Sequence, residues 1–382
     1  HNQNSSIPSS QTDKDQTTPE QEGGHGKGKP EDNKLAKNTR TYETTSIIDV
    51  LNCDVCGENL DNVTASGVET RTKIDIIFEK EVTHIEAQIK ECPICHSTTK
   101  GKFPTDFYGP LQYGAGLKAF VINLLVCQMV ALNRVQKLVN SMIGVVIAEA
   151  SLLKFVLRLH QALAQWELDA IKQILCAPAI NVDETSLKVD KKKHWIHVYC
   201  AGDITLKFLH KGRGLKAIKD INIIPRYSGV IIHDCLAAYL SFEHCENALC
   251  GSHLLRELTF VFESNEYAWA RNMKRLLQET CNAVSKRKDK KLTPRQYANL
   301  QKRYRNILTR GDKELPIIPP KPSGKRGKLA KSDAHNLWER FKKHETAVLR
   351  FAQNTDVSFT NNRAERDLRM AKVKQKVSGC FR

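Results

Sequence analysis

Apolar residues recur at helical spacing through the middle of the chain. Leu117, Phe120, Val121, Leu124 and Leu125, closed by Gln128, form one such series. Leu152, Phe155, Val156, Leu159 and Leu163 form another. Together they predict helices across residues 111–176, with Gly144 dividing two of them. That punctuation is shared by DNA-binding helix-turn-helix units and by ordinary helical bundles. The pattern changes at Pro178, after which short β-branched and aromatic runs predict strands at 179–189, 194–201, 206–210 and 229–234. Helical periodicity returns at 250–262 and continues, strongly basic, past residue 310. Pro316 to Pro322 reads as a linker and Lys321 to Lys331 as a flexible basic loop. Strands followed by helices predict an α/β domain over 178–382 with a largely helical insertion at about 260–350.

The first part of the chain has a different texture. Residues 1–46 are rich in Gln, Ser, Thr, Gly and Lys and nearly free of large apolar side chains. Such a segment cannot offset its chain entropy by burial, and it reads as a disordered linker. Residues 47–104 are bounded by Cys53-Asp-Val-Cys56 and Cys92-Pro-Ile-Cys95. Two C-x-x-C pairs can place four thiolates on one tetrahedral structural Zn²⁺. Partial alternation at 72–78 and 82–89 predicts a hairpin spanning the gap between them. The unit reads as zinc-ribbon-like, with His84 and His96 as ordinary polar residues. Residues 105–177 then form the helical segment.

Composition adds the partner. The 382 residues include 59 basic and 42 acidic side chains, a formal net charge of +17 that favours a polyanion such as nucleic acid. A basic ribosome-associated or membrane-surface protein carries a similar balance. The longest apolar run, Ala119 to Leu132, includes Asn123 and Gln128 and is too short to span a bilayer. Twelve cysteines without a secretory signal argue for a reducing compartment and for metal before disulfides. The chain begins with His1, as expected of a trimmed or partial reading frame.

Three carboxylates stand out. Asp183 lies inside a predicted strand, where it and Glu184 point to opposite faces, so one of the two can serve a given site. Asp234 ends the apolar run Val230-Ile-Ile-His, at the carboxyl end of a strand where open α/β sheets form their sites. Glu365 lies in Asn362-Arg-Ala-Glu365, which also fits a helix capping box. On that predicted helix Glu365, Arg369, Lys372 and Lys376 share a face opposite Ala364, Leu368 and Ala371.

Asp183-Glu-Thr, Asp234 followed by Ala238-Tyr239, Cys250-Gly-Ser-His253 and Thr360-Asn-Asn-Arg-Ala-Glu365-Arg-Asp-Leu-Arg369 resemble the transposases of the bacterial insertion sequence 66 family. The resemblance runs over about residues 47–382. It implies a ribonuclease-H-like catalytic domain whose Asp-Asp-Glu site is Asp183, Asp234 and Glu365, holding Mg²⁺ or Mn²⁺ for two-metal phosphoryl transfer. Water would cut at the transposon end, and the freed 3′-hydroxyl would attack target DNA. His253 and Cys250 take accessory positions, and Arg363, Arg366, Arg369 and Lys372 are expected at the DNA. The implied partners are terminal repeats, target DNA, further copies of the chain and helper proteins, in a cytoplasmic, nucleoid-associated setting without a membrane. Relatives begin earlier and continue further, so the resemblance implies a partial chain with little beyond the Glu365 helix. Cys235 also stands where relatives carry glycine. The competing readings are an inactive zinc-containing DNA-binding fragment and a metal nuclease for branched or hybrid nucleic acid.

Overall fold

The structure, a computed structural model, describes residues 44–76, 78–318, 331–379 and 381. Nearly all of the expected N-terminal linker and of the basic loop at 321–331 lies outside those residues. The described chain divides into two compact units, one ending at Val82 and the other beginning at Thr83.

Each unit contains one cysteine pair at the tip of a small hairpin. In the first, the Cys53 N–H donates to the Glu58 carbonyl (2.8 Å), and the Gly57 N–H returns to the Cys53 carbonyl (2.9 Å). Asn52 and Asn59 form an antiparallel bridge below. In the second, the Cys92 N–H donates to Ser97 and the His96 N–H returns to Cys92, both at 2.9 Å. Here β1 (Ile89–Glu91) and β2 (Thr98–Lys100) form the stem, with Glu91 opposite Thr98. The two turns therefore share spacing and hydrogen bonding, and each carries a left-handed residue, Gly57 (φ 76°) and His96 (φ 54°). The hairpin predicted over 72–89 does not form among the described residues, which hold no strand before Ile89. Ile74, Ile76, Phe78 and Val82 are exposed, so a ladder there would have no apolar face to bury.

The helical segment comprises α1 (Ala115–Ile122), extended by a π-helical turn to Cys127, then α2 (Leu132–Ile143), α3 (Glu149–Ala162) and α4 (Ala164–Cys176). Val121, Leu125, Val135, Val139, Ile147, Leu152 and Phe155 close its core. Gly144 ends α2 in the left-handed conformation (φ 64°), the usual device for stopping a helix.

The second half is built on a five-stranded mixed sheet ordered β5-β4-β3-β6-β7. β3 (Ala179–Val189), β4 (Lys192–Ala201) and β5 (Ile204–His210) run antiparallel, whereas β6 (Val230–His233) and β7 (Glu246–Leu249) run parallel to β3. α5 (Leu215–Ile221) lies in the β5–β6 connection. Alternation along the strands assigns the two faces. Ile180, Val182, Tyr199 and Ile231 pack with Ala170 and Ile174 of α4, with Ile218 of α5, and with Tyr239. Val230, Ile232, Ala248 and Leu249 pack instead with the helical insertion. That insertion comprises α6 (Gly251–Asn265), α7 (Ala268–Ser285), α8 (Pro294–Glu314), α9 (Asp333–Lys343) and α10 (Glu345–Leu349). Trp269, Met273, Leu277, Tyr304 and Phe341 are its fully enclosed centre.

The last helix, α11 (Asn362–Ser378), returns to the sheet. Ala364 and Leu368 pack on Val198 and Cys200 of β4, so the helix takes its support from the sheet that precedes it in the chain. Beyond it, Phe381 bridges Val189 in parallel, with main-chain bonds to Asp190 and Lys188 (both 2.8 Å). No helix among the described residues is long and apolar enough to cross a membrane.

Candidate active site

The two central strands carry the first two carboxylates. Asn181 of β3 pairs in parallel register with Ile232 of β6, and two residues further along each chain stand Asp183 and Asp234. The face of Asp183 follows from its cross-strand partner Val198, which packs against α11. Glu365 in the first turn of α11 therefore comes to the same side of the sheet.

The capping role open to Glu365 in the sequence is not used. Asn361 rather than Asn362 is the N-cap, no side chain caps the helix, and Glu365 gives only its backbone N–H to Asn361 (3.3 Å). Its Oε1 faces His253 Nδ1 of α6 at 3.5 Å without forming a hydrogen bond.

The acids influence one another. The Asp183 carboxyl is pushed up to about 8, first by burial, then by the charges of Glu184, Asp234 and Glu365. The N–H of Glu184, which donates to Asp183 Oδ1 at 2.8 Å, works the other way. Burial and then Arg256 lower the His253 imidazole, while Glu365 and Asp234 work in the other direction. Asp234 Oδ1 and Glu365 Oε1 are both buried without a hydrogen-bond partner. Uncompensated carboxylate oxygens in one place are costly unless a cation satisfies them. Hard oxygens suit Mg²⁺ or Mn²⁺, so the residues present fit a divalent ion.

The junction before α11 is built with care. Asn361 is fully buried; its amide donates to the Val182 carbonyl (2.8 Å) and its side-chain oxygen accepts from Asn181 (2.9 Å). Its backbone N–H donates to Cys250 Sγ at 3.2 Å. Gly251 gives its N–H to the Phe359 carbonyl (2.7 Å) and packs so tightly on the Phe359 ring that any Cβ would overlap it. The Cys250 sulfur, a His253 nitrogen and a Glu365 oxygen all lie within 4.8 Å of one another. Burial pushes the Cys250 thiol up to about 11, which with its bond to Asn361 suits an anchor better than a ligand.

Asp234 is followed by a strained turn. Cys235 adopts φ 74°, a left-handed conformation that favours glycine, and its N–H donates to His233 Nδ1 at 3.1 Å. His233 is fully buried, bonded through Nε2 to Asn247 (3.1 Å), and burial lowers its imidazole to about 4.

The four cations expected at DNA separate into two pairs. Arg363 donates to the Ile204 carbonyl (2.9 Å) and Lys372 to the Ser186 carbonyl, tying α11 to the sheet. Arg366 and Arg369 are exposed beside Glu365.

In the cysteine hairpins, Cys95 Sγ meets the Ser97 hydroxyl at 2.9 Å, and hydrogen bonds from Ser97 lower its thiol to about 7. Bonds within the first turn, chiefly from the Cys56 and Val55 backbone, lower Cys53. Both shifts favour thiolates.

Other side chains lie around the three carboxylates. Glu184 is buried on the opposite face, where it binds Arg213 and Tyr239. Asn361 was visible within its motif but carried no assigned role. For Arg213 the one available signal was its place between two glycines in Gly212-Arg213-Gly214.

The family described as Transposase IS66 family matches residues 110–382. No curated protein matches the chain.

Proposed function

Since the chain belongs to the IS66 family of transposases, we propose that Asp183, Asp234 and Glu365 are its catalytic carboxylates, cutting DNA at transposon ends and joining the freed 3′-hydroxyl to target DNA. The observation that carries this reading is that Asp183 on β3 feels the charges of Asp234 after β6 and Glu365 on α11, with buried oxygens of Asp234 and Glu365 lacking a partner. The strand order and the placement of α11 are those expected of a ribonuclease-H-like domain, which we assign to 178–382.

Divalent ions held there, Mg²⁺ or Mn²⁺, would supply Lewis acidity toward the phosphate and activate the attacking oxygen. The chain's own groups do the positioning. Asn361 fixes the start of α11 to β3, which sets the approach of Glu365. Cys250 holds Asn361 in turn, and His253, kept neutral by burial, flanks Glu365 without competing as a cation. Arg366 and Arg369 face solvent, where they can take backbone phosphates, while Arg363 and Lys372 brace the helix that presents them.

For residues 47–104 we propose one structural Zn²⁺ on Cys53, Cys56, Cys92 and Cys95, supported by the matching turns and the lowered Cys53 and Cys95 thiols. Residues 105–177 form a helical, DNA-contacting segment in the same reading, and a cytoplasmic, nucleoid-associated oligomer on DNA follows from the substrate.

The test is Mg²⁺-dependent nicking and strand transfer on DNA carrying the element's terminal repeats. Asp183→Asn, Asp234→Asn and Glu365→Gln should each lower the rate by at least about 100-fold while the protein still binds DNA. Unchanged nicking by Asp183→Asn would overturn the assignment. Binding without cleavage by the unaltered chain would favour the inactive, zinc-containing DNA-binding fragment.

A further inference from the structure

Glu184 has no part in the carboxylate site, yet its side chain is completely enclosed. Its two oxygens are fully used: Oε1 accepts from Arg213 Nε at 2.9 Å and Oε2 from the Tyr239 hydroxyl at 3.1 Å. Arg213 in turn reaches toward the catalytic acids, with a terminal nitrogen 3.8 Å from Asp234 Oδ2. Its guanidinium lies over the Trp195 ring, 5.2 Å from the centroid. The adjoining backbone is also clamped. The Gly212 N–H donates to His210 Nδ1 at 2.9 Å, and the Gly212 carbonyl meets His197 Nε2 at 3.1 Å. Glu184 and Trp195 thus hold the arginine, the two histidines hold the backbone before it, and its side chain still keeps 39% of its surface open to solvent.

Neutralising Glu184 would need no such arrangement, because a buried ion pair is commonly replaced by apolar side chains without loss. An arginine held on one edge by a carboxylate leaves its other N–H groups free for a second planar or tetrahedral anion. The anion that belongs beside Asp234, on the reading above, is the phosphodiester being cut. We propose that Arg213 is a phosphate-binding residue of the cleavage site, locked by Glu184 and Trp195 so that its free N–H groups meet the non-bridging oxygens of the scissile phosphate. In the DNA-free protein the same guanidinium partly offsets the charge of Asp234. The inference rests on the assignment of Asp183, Asp234 and Glu365 as metal-holding groups.

Two variants of the full chain test it. Arg213→Lys keeps the charge beside Glu184 but loses the fork. The double variant Glu184→Gln with Arg213→Gln removes both charges and keeps a hydrogen-bonding pair of similar shape. Mn²⁺ binding, followed by the electron paramagnetic resonance of free Mn²⁺, should stay within about threefold of the unaltered chain in both. The turnover rate of nicking should fall about tenfold for Arg213→Lys and about 100-fold for the double variant. A readout without cleavage uses Ca²⁺ and DNA whose scissile phosphate is a neutral methylphosphonate. The unaltered chain should lose affinity on that replacement, and the double variant should lose at least about threefold less.

If both variants bind Mn²⁺ normally, nick at the unaltered rate and discriminate the methylphosphonate as before, the role of Arg213 is overturned alone. If the unaltered chain binds no Mn²⁺, or Asp183→Asn binds it equally well, the carboxylate assignment falls and the Arg213 inference with it.

Discussion

Asp183 shows how far one side chain's protonation depends on its neighbours. Its carboxyl is raised from an ordinary 3.8 to about 8 in the folded chain. A raised folded value contributes stability that is present below the unfolded value and lost as pH rises through the folded one. Without divalent ions, this residue should therefore make the protein less stable at pH 8.5 than at pH 6. Mg²⁺ favours the ionised form and should reduce that difference, as should Asp183→Asn; thermal unfolding at the two pH values with and without Mg²⁺ checks both. A steeper loss of stability on adding Mg²⁺ would contradict it. Cys235 offers a second test at the same scale. Its φ of 74° costs a residue with a Cβ about 1 kcal/mol, so Cys235→Gly should raise stability by up to about that amount in denaturant titration, with nicking retained. The sequence already marked Cys235 as unusual beside Asp234, but the reason, a left-handed turn braced by His233, is a backbone property that appears only in the fold.

Among elements, the strands were the most legible. β3 follows the predicted boundaries, and β4, β5 and β6 differ from theirs by one or two residues, because their β-branched runs are bounded by Pro178, Gly202 and Gly229. The helix at 250–262 was equally clear, whereas the ribbon at 72–89 was not formed, since alternation without a packing partner does not make a ladder. The third carboxylate was ambiguous for a physical reason. Asn-x-x-Glu serves a helix start or a cation site equally well, and only the contacts of Asn361 separate them. The α6–α11 junction should be correspondingly brittle. Gly251→Ala sets a methyl group against the Phe359 ring, and overpacking of this kind typically costs about 1–3 kcal/mol. We expect lower stability together with slower nicking at unchanged DNA affinity, because the shift passes through Asn361 to Glu365. Wild-type nicking by a folded Gly251→Ala would disconnect the junction from the site.

For the whole molecule, the charge of +17 and the family motif both point to DNA. What the sequence left open was how a long helical insertion between Asp234 and Glu365 is tolerated. The insertion has its own core around Trp269, Tyr304 and Phe341, and it meets the sheet through Val230, Ile232, Ala248 and Leu249. The cysteine hairpins have no such core: the apolar side chains around them are exposed, and the proposed zinc would stand in its place. Chelation of zinc should therefore increase proteolysis within residues 47–104 and leave the sheet domain's unfolding transition in place. Cys53→Ser with Cys92→Ser should abolish bound zinc, measured by atomic absorption, and full retention of the metal would refute the four-cysteine assignment.

Glu365 lies on α11, the last helix, after the entire insertion, whereas Asp183 and Asp234 lie on early strands of the same sheet. During synthesis the ribosome releases the two aspartates first and withholds their partner until the insertion has been translated. On the proposed assignment a nascent chain therefore carries two of its three carboxylates well before the third. On that assignment, a message broken within the insertion would yield a product that holds both aspartates and lacks Glu365.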